Sequence, residues 1–228
     1  MPGHLRLFGF VHLFILAAVP LAAGLFAVIQ RRLPPGTKWW RYSLAVCLFL
    51  SSAMYYGYLA AHGSFTYPDH LPLDLCDASL YFVLFAMLTL NRAVFDIVYY
   101  TAVAGASMSL LTPNLTESTT TYLAVQFFLD HGLVVGCALY LVWSGQMRPR
   151  RGSVAKAMLA LNVYAALIGT FDAIYKTDYM FLCAKPLTVS LLTYLGPWPW
   201  YILSAEGVAV VLFTLLYLPF RKSGGKAA

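Results

Sequence analysis

A cysteine flanked by two aspartates opens one of the long apolar segments of this sequence. In "LPLDLCDASLYFVLFAMLTL" (71–90), Asp74, Cys76 and Asp77 come just before the apolar run. A thiol acts as a nucleophile through its thiolate, and a helix N-terminus favours that anion. The two aspartates oppose it, so the chemistry requires a base or a cation nearby. Cys76 is therefore a candidate nucleophile that depends on a second residue.

His131 is the candidate base, because it is the histidine that falls in the interior of an apolar segment away from the N-terminal one. It lies about ten residues into the segment 121–143, about 15 Å deep at 1.5 Å per residue. Cys76 is about 7 Å deep, so the pair is offset by about 8 Å unless the helices tilt. Together they are candidates for nucleophilic catalysis with a general base.

Further polar side chains inside apolar segments predict a polar interior that opens to the outer face. Each ionisable group there costs about 2.5–3.5 kcal/mol on insertion scales, so it usually faces a partner or a wet cavity. Helical rise places Asn162 and Glu206 near the depth of His131. The predicted supporting residues are Asp77, Gln126, Asp130, Asn162 and Glu206.

The carboxylates also have structural interpretations. Asp74 falls in a first helical turn, where a negative charge complements the helix dipole. Asp77 and Asp130 have the alternative of ion pairs with Lys185 or Arg6 near the surface. These alternatives stay open at the level of the sequence.

The amide and the cysteines have structural alternatives as well. Asn162 is typical of a side chain that bonds across two membrane helices. Cys76 and Cys183 both fall near the outer face, where a disulfide between them is one alternative in an oxidising compartment. The four cysteines lack CxxC spacing, so no metal site is predicted.

The elements that position these residues are membrane spans. Of the 228 residues, 61% are hydrophobic and 11% charged, and the mean hydropathy is +0.71. Crossing the hydrocarbon takes about 20 apolar residues. The sequence predicts an all-α polytopic bundle that forms one integral membrane domain over residues 1–228, with about seven spans at approximately 5–30, 40–61, 72–90, 93–111, 121–143, 154–174 and 197–219.

Basic residues predict the orientation of these spans. Most Lys and Arg residues fall on alternate connections, and Arg6, Lys176 and Lys185 are the only ones on the other side. The positive-inside rule then places the N-terminus outside and the C-terminus in the cytoplasm. Topology and anionic lipid account for the net charge of +6, so no nucleic-acid partner is expected. The basic residues on the cytoplasmic side are Arg31, Arg32, Lys38, Arg41, Arg92, Arg148, Arg150, Arg151, Lys156, Arg221, Lys222 and Lys226.

Seven stretches spread over nearly the whole chain carry a family resemblance. They are "LPLDLCD" (71–77), "LTPNL" (111–115), "QFFLDHGL" (126–133), "LNVYAALIGT" (161–170), "DYMFLCAKP" (178–186), "SLLTYLGPWPWY" (190–201) and "LYLPF" (216–220). The sequence resembles the YwaF-like bacterial integral membrane proteins, which belong with the transmembrane protein 164 family of eukaryotes. The eukaryotic branch is described as an acyltransferase that moves a fatty acyl chain between phospholipids through an acylated cysteine.

The resemblance implies roles for individual residues. Cys76 and His131 match the positions of the family's cysteine and histidine, as nucleophile and base. Tyr179 and Lys185 belong to its outer loop, where Lys185 would hold a lipid phosphate. Trp198 and Trp200 are expected as interface anchors, with their indole N–H groups or the backbone at the start of span three as alternative oxyanion donors.

The expected function is therefore a lipid acyltransferase or thiol lipase in a bacterial cytoplasmic membrane, acting on phospholipid or lysophospholipid without a metal or cofactor. The alternative is a non-enzymatic transporter or ligand-binding protein with a polar interior around His131 and Glu206. A retinal protein is excluded, because span seven contains no lysine for a Schiff base.

Overall fold

A computed structural model describes residues 6–34, 36–115 and 121–225, and this part of the chain is helical without any strand. The predicted all-α membrane bundle is confirmed. Seven helices form it: α1 (Phe10–Arg32), α2 (Trp39–Ala61), α3 (Leu75–Thr89), α4 (Arg92–Leu111), α5 (Thr121–Trp143), α6 (Ser153–Tyr175) and α7 (Trp200–Tyr217). Short 3₁₀ turns lie at Tyr179–Phe181, Leu191–Tyr194 and Leu218–Gly225.

Six of these helices are long and apolar enough to cross a membrane, and α3 is shorter. Its 15 residues rise about 22 Å, less than the hydrocarbon thickness of about 30 Å. The direction in which the chain crosses stays a prediction. Following the charge distribution, we call the end of the bundle that holds the first turn of α3 the outer end, and the opposite end the inner end.

A sharp turn joins α3 to α4 at the inner end. Leu90 adopts the left-handed conformation with φ 55°, and the Asn91 side chain then accepts the first backbone N–H groups of α4. Arg41, from the first turn of α2, is buried and donates to the carbonyl oxygens of Met87 at 2.5 Å and Leu88 at 3.4 Å. Arg41 thus satisfies the last carbonyls of α3, a role that its assignment to the positive-inside charges did not predict.

Helix α5 occupies the centre of the bundle. It packs against α1, α2, α3 and α4, whereas α6 packs against α4, and α7 packs mainly against α6. Gly132 permits the closest approach of α1, because a Cβ atom there would lie 3.1 Å from the Cγ2 atom of Val19. The helix that carries Gln126, Asp130 and His131 therefore packs against α3, whereas Glu206 belongs to α7 at the side of the bundle.

Helix α4 contains a π-helical turn at Thr101–Gly105. Such a turn places an extra residue in the helix and rotates all that follows, and it is frequent at functional sites. Thr101 accepts a hydrogen bond of 2.9 Å from Ser79 on α3. Beyond the π turn, α4 presents Ser109 to the first turn of α3.

The inner end is held by a buried carboxylate that the sequence analysis did not identify. Asp96 accepts hydrogen bonds from the Arg150 backbone N–H at 3.0 Å and from its Nε at 2.7 Å. The Nη2 atom of Arg150 lies 2.6 Å from Asp96, and the Nζ atom of Lys156 lies 3.8 Å away. This cluster fixes α4 to the start of α6.

Candidate functional site

Cys76 is the second residue of α3 and lies half-buried at the outer end. Its Sγ atom is 3.5 Å from the Oγ atom of Ser109 on α4. All four cysteines are free, so the alternative of a disulfide between Cys76 and Cys183 is not realised. Ser109 was missed from the sequence, where a serine in an apolar span is the only signal and its partner is 33 residues away.

His131 is held by its own helix in one tautomer. Its Nδ1 atom lies 2.8 Å from the carbonyl oxygen of Phe127. A carbonyl only accepts, so Nδ1 of the neutral ring carries the proton and Nε2 keeps a lone pair. Among the described residues, no hydrogen bond reaches Nε2. This is the form in which an imidazole acts as a general base.

A second histidine, His12, has a hydrogen-bond partner for each of its two ring nitrogens. His12 is completely buried on α1, where its Nδ1 accepts the Phe8 backbone N–H at 2.9 Å. Its Nε2 lies 2.8 Å from the carbonyl oxygen of Leu110. Both nitrogens are committed, so His12 joins α1 to the end of α4 as a structural residue. Of the two histidines inside the bundle, His131 is the one that keeps a ring nitrogen without a hydrogen bond in the described part of the chain.

The two aspartates that flank Cys76 have distinct contacts. Asp74 precedes α3 as its N-cap residue, yet its side chain caps no N–H of the helix, and its Oδ1 accepts the Met180 backbone N–H at 2.8 Å. Asp77 is the third helical residue, and its carboxylate lies near the backbone N–H of Asp74. The first N–H groups of α3 are thus left without a side-chain cap. Both carboxylates lie within electrostatic range of His131.

Asp130 and Gln126 connect α5 to α2 through Ser51. The Ser51 hydroxyl donates a short hydrogen bond to Asp130, and the Gln126 amide donates to the other carboxylate oxygen at 3.0 Å. The same amide donates to the Ser51 carbonyl oxygen at 2.6 Å. The alternative of an ion pair between Asp77 or Asp130 and Lys185 or Arg6 is wrong for the described part of the chain, where ion pairs reach Asp96 alone.

The segment between α6 and α7 forms hydrogen bonds that hold the residues just before α3 in place. The Tyr179 hydroxyl donates to the Pro68 carbonyl oxygen at 2.6 Å and accepts the Leu71 backbone N–H at 2.8 Å. Burial raises the pKa of the Tyr179 phenol, so the hydroxyl stays protonated and able to donate. Asp172 accepts the Tyr179 backbone N–H at 3.1 Å. Tyr179 is buried and therefore positions α3, rather than contacting a lipid headgroup.

The remaining outer-loop residues lie farther out. The Lys185 Nζ donates to the Thr193 carbonyl oxygen at 3.3 Å and lies over the Tyr201 ring. The Trp198 indole N–H donates to the Leu182 carbonyl oxygen at 3.1 Å, which commits the donor that was considered for an oxyanion. Trp198 and Trp200 are 61% and 63% exposed, as interface anchors require.

Two predicted supporting residues are not brought into this cluster. Asn162 is exposed, and its amide donates to the Met158 carbonyl oxygen of its own helix, so it does not bond across helices. Glu206 is half-buried on α7, outside the set of carboxylates that act on His131. The structure places Ser109 beside the Cys76 thiol, and it places Asp74, Asp77 and Asp130 within electrostatic range of His131. Asp74 and Asp77 are the residues near both Cys76 and His131.

No group of three or more His, Cys, Asp or Glu side chains is placed to hold a metal ion in the described ranges. No curated protein and no solved structure is significantly similar to the chain. The model of the TMEM164 family matches residues 7–217, nearly the whole sequence and all seven helices. The protein therefore belongs to the TMEM164 family.

Proposed function

We propose that this protein is a membrane-embedded lipid acyltransferase or thiol lipase that forms a thioester on Cys76. One observation carries the proposal: His131, with Nδ1 bonded to a carbonyl oxygen and Nε2 left as an acceptor, shares the electrostatic environment of the aspartates that flank Cys76. Membership of the TMEM164 family agrees with it. The substrates would be a phospholipid as acyl donor and a lysophospholipid or water as acceptor.

In the first half of the reaction, Nε2 of His131 takes the proton of the Cys76 thiol, and the Sγ atom attacks the ester carbonyl carbon of the phospholipid. The tetrahedral intermediate collapses with cleavage of the bond between the carbonyl carbon and the ester oxygen. The proton moves from His131 to that oxygen, which leaves as the hydroxyl of a lysophospholipid. Cys76 now carries the acyl group as a thioester.

In the second half, the hydroxyl of the acceptor attacks the thioester while His131 takes its proton. The bond between carbon and sulfur breaks, and the proton returns to Sγ. With a lysophospholipid as acceptor the product is a new phospholipid, and with water it is a fatty acid. The two outcomes define an acyltransferase and a lipase that share one intermediate.

Charges and dipoles around Cys76 suit this sequence of steps. The carboxylates of Asp74, Asp77 and Asp130 stabilise the imidazolium that forms when His131 takes a proton. The uncapped N–H groups at the start of α3 would donate to the oxyanion of the intermediate. Ser109 contacts the thiol and would orient it before attack.

The test uses purified protein in nanodiscs that contain a phospholipid with an alkyne-tagged acyl chain. Peptide mass spectrometry would detect a hydroxylamine-labile adduct on Cys76. Cys76→Ser should abolish this adduct, and His131→Ala should slow its formation by about 10²- to 10⁴-fold. Cys47→Ser, a change at an exposed cysteine of α2, is the matched control and should leave it unchanged. Absence of an adduct in folded protein across a broad donor panel would refute the proposal.

The alternative of a transporter or ligand-binding protein requires His131 and Glu206 to share one interior. The charges that act on His131 come from α5 and from the start of α3, and Glu206 lies on α7 at the side of the bundle. No specific contact favours this alternative, so we do not propose it.

A further inference from the structure

An apolar groove lies between α3, α4 and α6, and it begins in the first turns of α3. Its volume is about 290 Å³. Leu75, Ser79 and Phe82 form its α3 wall, and Val94 and Thr101 belong to its α4 wall. Ala160, Tyr164 and Leu167 come from α6. The groove follows the direction of the helices rather than crossing them.

The upper end of this groove lies within one helical turn of the proposed nucleophile. Leu75 precedes Cys76 and Ser79 follows it by three residues, so the wall begins in the helical turn that contains Cys76, which is not itself a lining residue. From Leu75 to Phe82 the wall runs about 10 Å toward the inner end. Because α4 begins at the inner end, Val94 marks the lower limit of the groove together with Ala160, the α6 lining residue nearest that end.

The walls are suited to a hydrocarbon chain. The three hydroxyl groups of the lining all have partners: Ser79 donates to Thr101, Thr101 donates to the Val98 carbonyl oxygen, and Tyr164 donates to the Leu73 carbonyl oxygen. No charged side chain lines the groove. Along its open side, Phe82 and Leu167 are 54% and 64% exposed, so the groove opens toward the lipid.

The width of the groove favours a single chain over a helix. Spread along about 10 Å of wall, a volume of about 290 Å³ corresponds to a cross-section about 6 Å across, narrower than a helix with its side chains at about 10–12 Å. An apolar groove of this width that begins one helical turn from the proposed nucleophile and opens to the hydrocarbon fits a linear acyl chain.

We propose that this groove, lined by Ala78, Phe82, Val94, Ile97, Ala160 and Leu167, holds the acyl chain that is transferred to Cys76, and that its inner end at Val94 and Ala160 selects the chain length. The proposal rests on the thioester function above. The chain would lie along α3 with its carbonyl carbon at the outer end, where Sγ attacks it, and its methyl end between α4 and α6.

The first test measures chain-length selectivity at Cys76. Nanodiscs would contain an equimolar mixture of phospholipids that differ only in acyl-chain length, and the masses of the Cys76 adducts would give the distribution. Ala160→Phe should reduce the longest-chain adducts relative to the shortest by about tenfold, the effect of about two methylene groups losing their burial. Ala160→Leu should give an intermediate shift.

The matched control fills a second apolar groove, of about 280 Å³, between α1 and α5. Ala22→Phe lies in its lining and should leave the distribution unchanged. An adduct distribution that responds to Ala22→Phe and not to Ala160→Phe would overturn the assignment, and so would one that responds to neither.

A second measurement does not depend on turnover. In Cys76→Ser protein, a phospholipid with a photoreactive group near the end of one acyl chain should label peptides that contain Ile97. Ala160→Phe should deplete that label relative to labelling at Val211, which is 58% exposed on α7. Labelling that is not depleted would show bulk lipid only. If the lipid failed to label the groove and crosslinks formed there between two copies of the chain, a helix of the second copy would occupy the groove instead of an acyl chain.

The two measurements separate the proposals. Adducts on Cys76 without any length shift would refute the groove and leave the thioester function intact. Specific labelling of the groove without adducts would refute the thioester function, and the groove would then be a lipid site without a transfer reaction.

Discussion

The acidic side chains at the two ends of the bundle differ in whether a positively charged side chain lies beside them. At the inner end, Asp96 is completely buried, and the positive charges of Arg150 and Lys156 neutralise it. At the outer end, neither Lys nor Arg forms an ion pair with Asp77 or Asp130 in the described part of the chain. The charge that remains there acts on His131. A carboxylate with cationic partners joins the helices of the inner end, whereas the carboxylates of the outer end have hydrogen-bond partners and no cation, the arrangement that the proposed function requires.

The first prediction removes the positive partner at the inner end. Arg150→Ala leaves the buried Asp96 carboxylate with Lys156 as its remaining cation. Loss of one partner of a fully buried pair costs about 3–5 kcal/mol, and because the Arg150 side chain is 44% exposed we expect the lower end, about 3 kcal/mol. We expect the free energy of unfolding to fall by this amount, measured by denaturant titration in mixed micelles. The rate of Cys76 acylation per folded molecule should not change.

The reverse change supplies the control. Asp96→Asn removes the buried charge and leaves Arg150 and Lys156, whose side chains are 44% and 57% exposed, in contact with solvent. It should therefore cost less than Arg150→Ala. An equal or larger cost for Asp96→Asn would contradict the view that the buried carboxylate dominates this end.

The second prediction concerns the hydrogen bonds that hold the residues just before α3 in place. Tyr179→Phe removes the hydroxyl that bridges Pro68 and Leu71, so a half-buried backbone donor and a half-buried acceptor lose their partner. The cost is about 1–3 kcal/mol for such groups. We expect lower stability together with slower acylation, because the segment that leads into α3 is no longer fixed. Tyr194→Phe, at a 77% exposed tyrosine, is the control, and a loss of similar size there would refute the specific role of Tyr179.

The sequence was sufficient for the approximate positions of the helices along the chain, although α3 is shorter than the span predicted at 72–90, and it was not sufficient for their faces. The span predicted at 121–143 is Thr121–Trp143 in the structure, because apolar length is a local property. Helical rise likewise gives the depth of Asn162. Its face depends on which neighbours surround α6, and a span that is apolar on all sides carries no periodic signal for this. The amide turned out to lie on the exposed side.

Contacts between distant residues could not be predicted for the same reason. Ser109 meets Cys76 only because α3 and α4 form a tight hairpin and α4 contains a π turn, and neither feature is visible in local composition. Asp96 and Arg150 are 54 residues apart. Arg41 followed the positive-inside pattern of charges, although its guanidinium is buried against the end of α3. Cys76 and His131 could be selected as candidates because a reactive residue type in an unusual place is a local signal, and their roles stay a prediction.

The third prediction removes one charge from the outer end. Asp77→Asn keeps an oxygen that can accept the Asp74 backbone N–H, but it loses the charge that stabilises protonated His131. We expect the initial rate of Cys76 acylation to fall by about tenfold, equivalent to about 1.4 kcal/mol, with little change in stability. Asp74→Asn should have a smaller effect, because Asp74 is exposed and solvent screens its charge. If Asp77→Asn accelerated acylation, the carboxylate would be opposing the thiolate rather than supporting the base.

The smallest expected effect comes from Ser109. Its hydroxyl contacts the thiol at 3.5 Å, a long hydrogen bond to sulfur, and Ser109→Ala removes this contact without introducing a charge. A neutral hydrogen bond contributes about 0.5–1.5 kcal/mol, so acylation should slow by about two- to tenfold. Ser109→Thr retains the hydroxyl and should restore most of the rate, which separates orientation of the thiol from a loss of packing. A fall of several orders of magnitude in Ser109→Ala would instead make the serine hydroxyl part of the proton transfer, and the outer end would then contain a three-residue relay in place of the Cys76 and His131 pair.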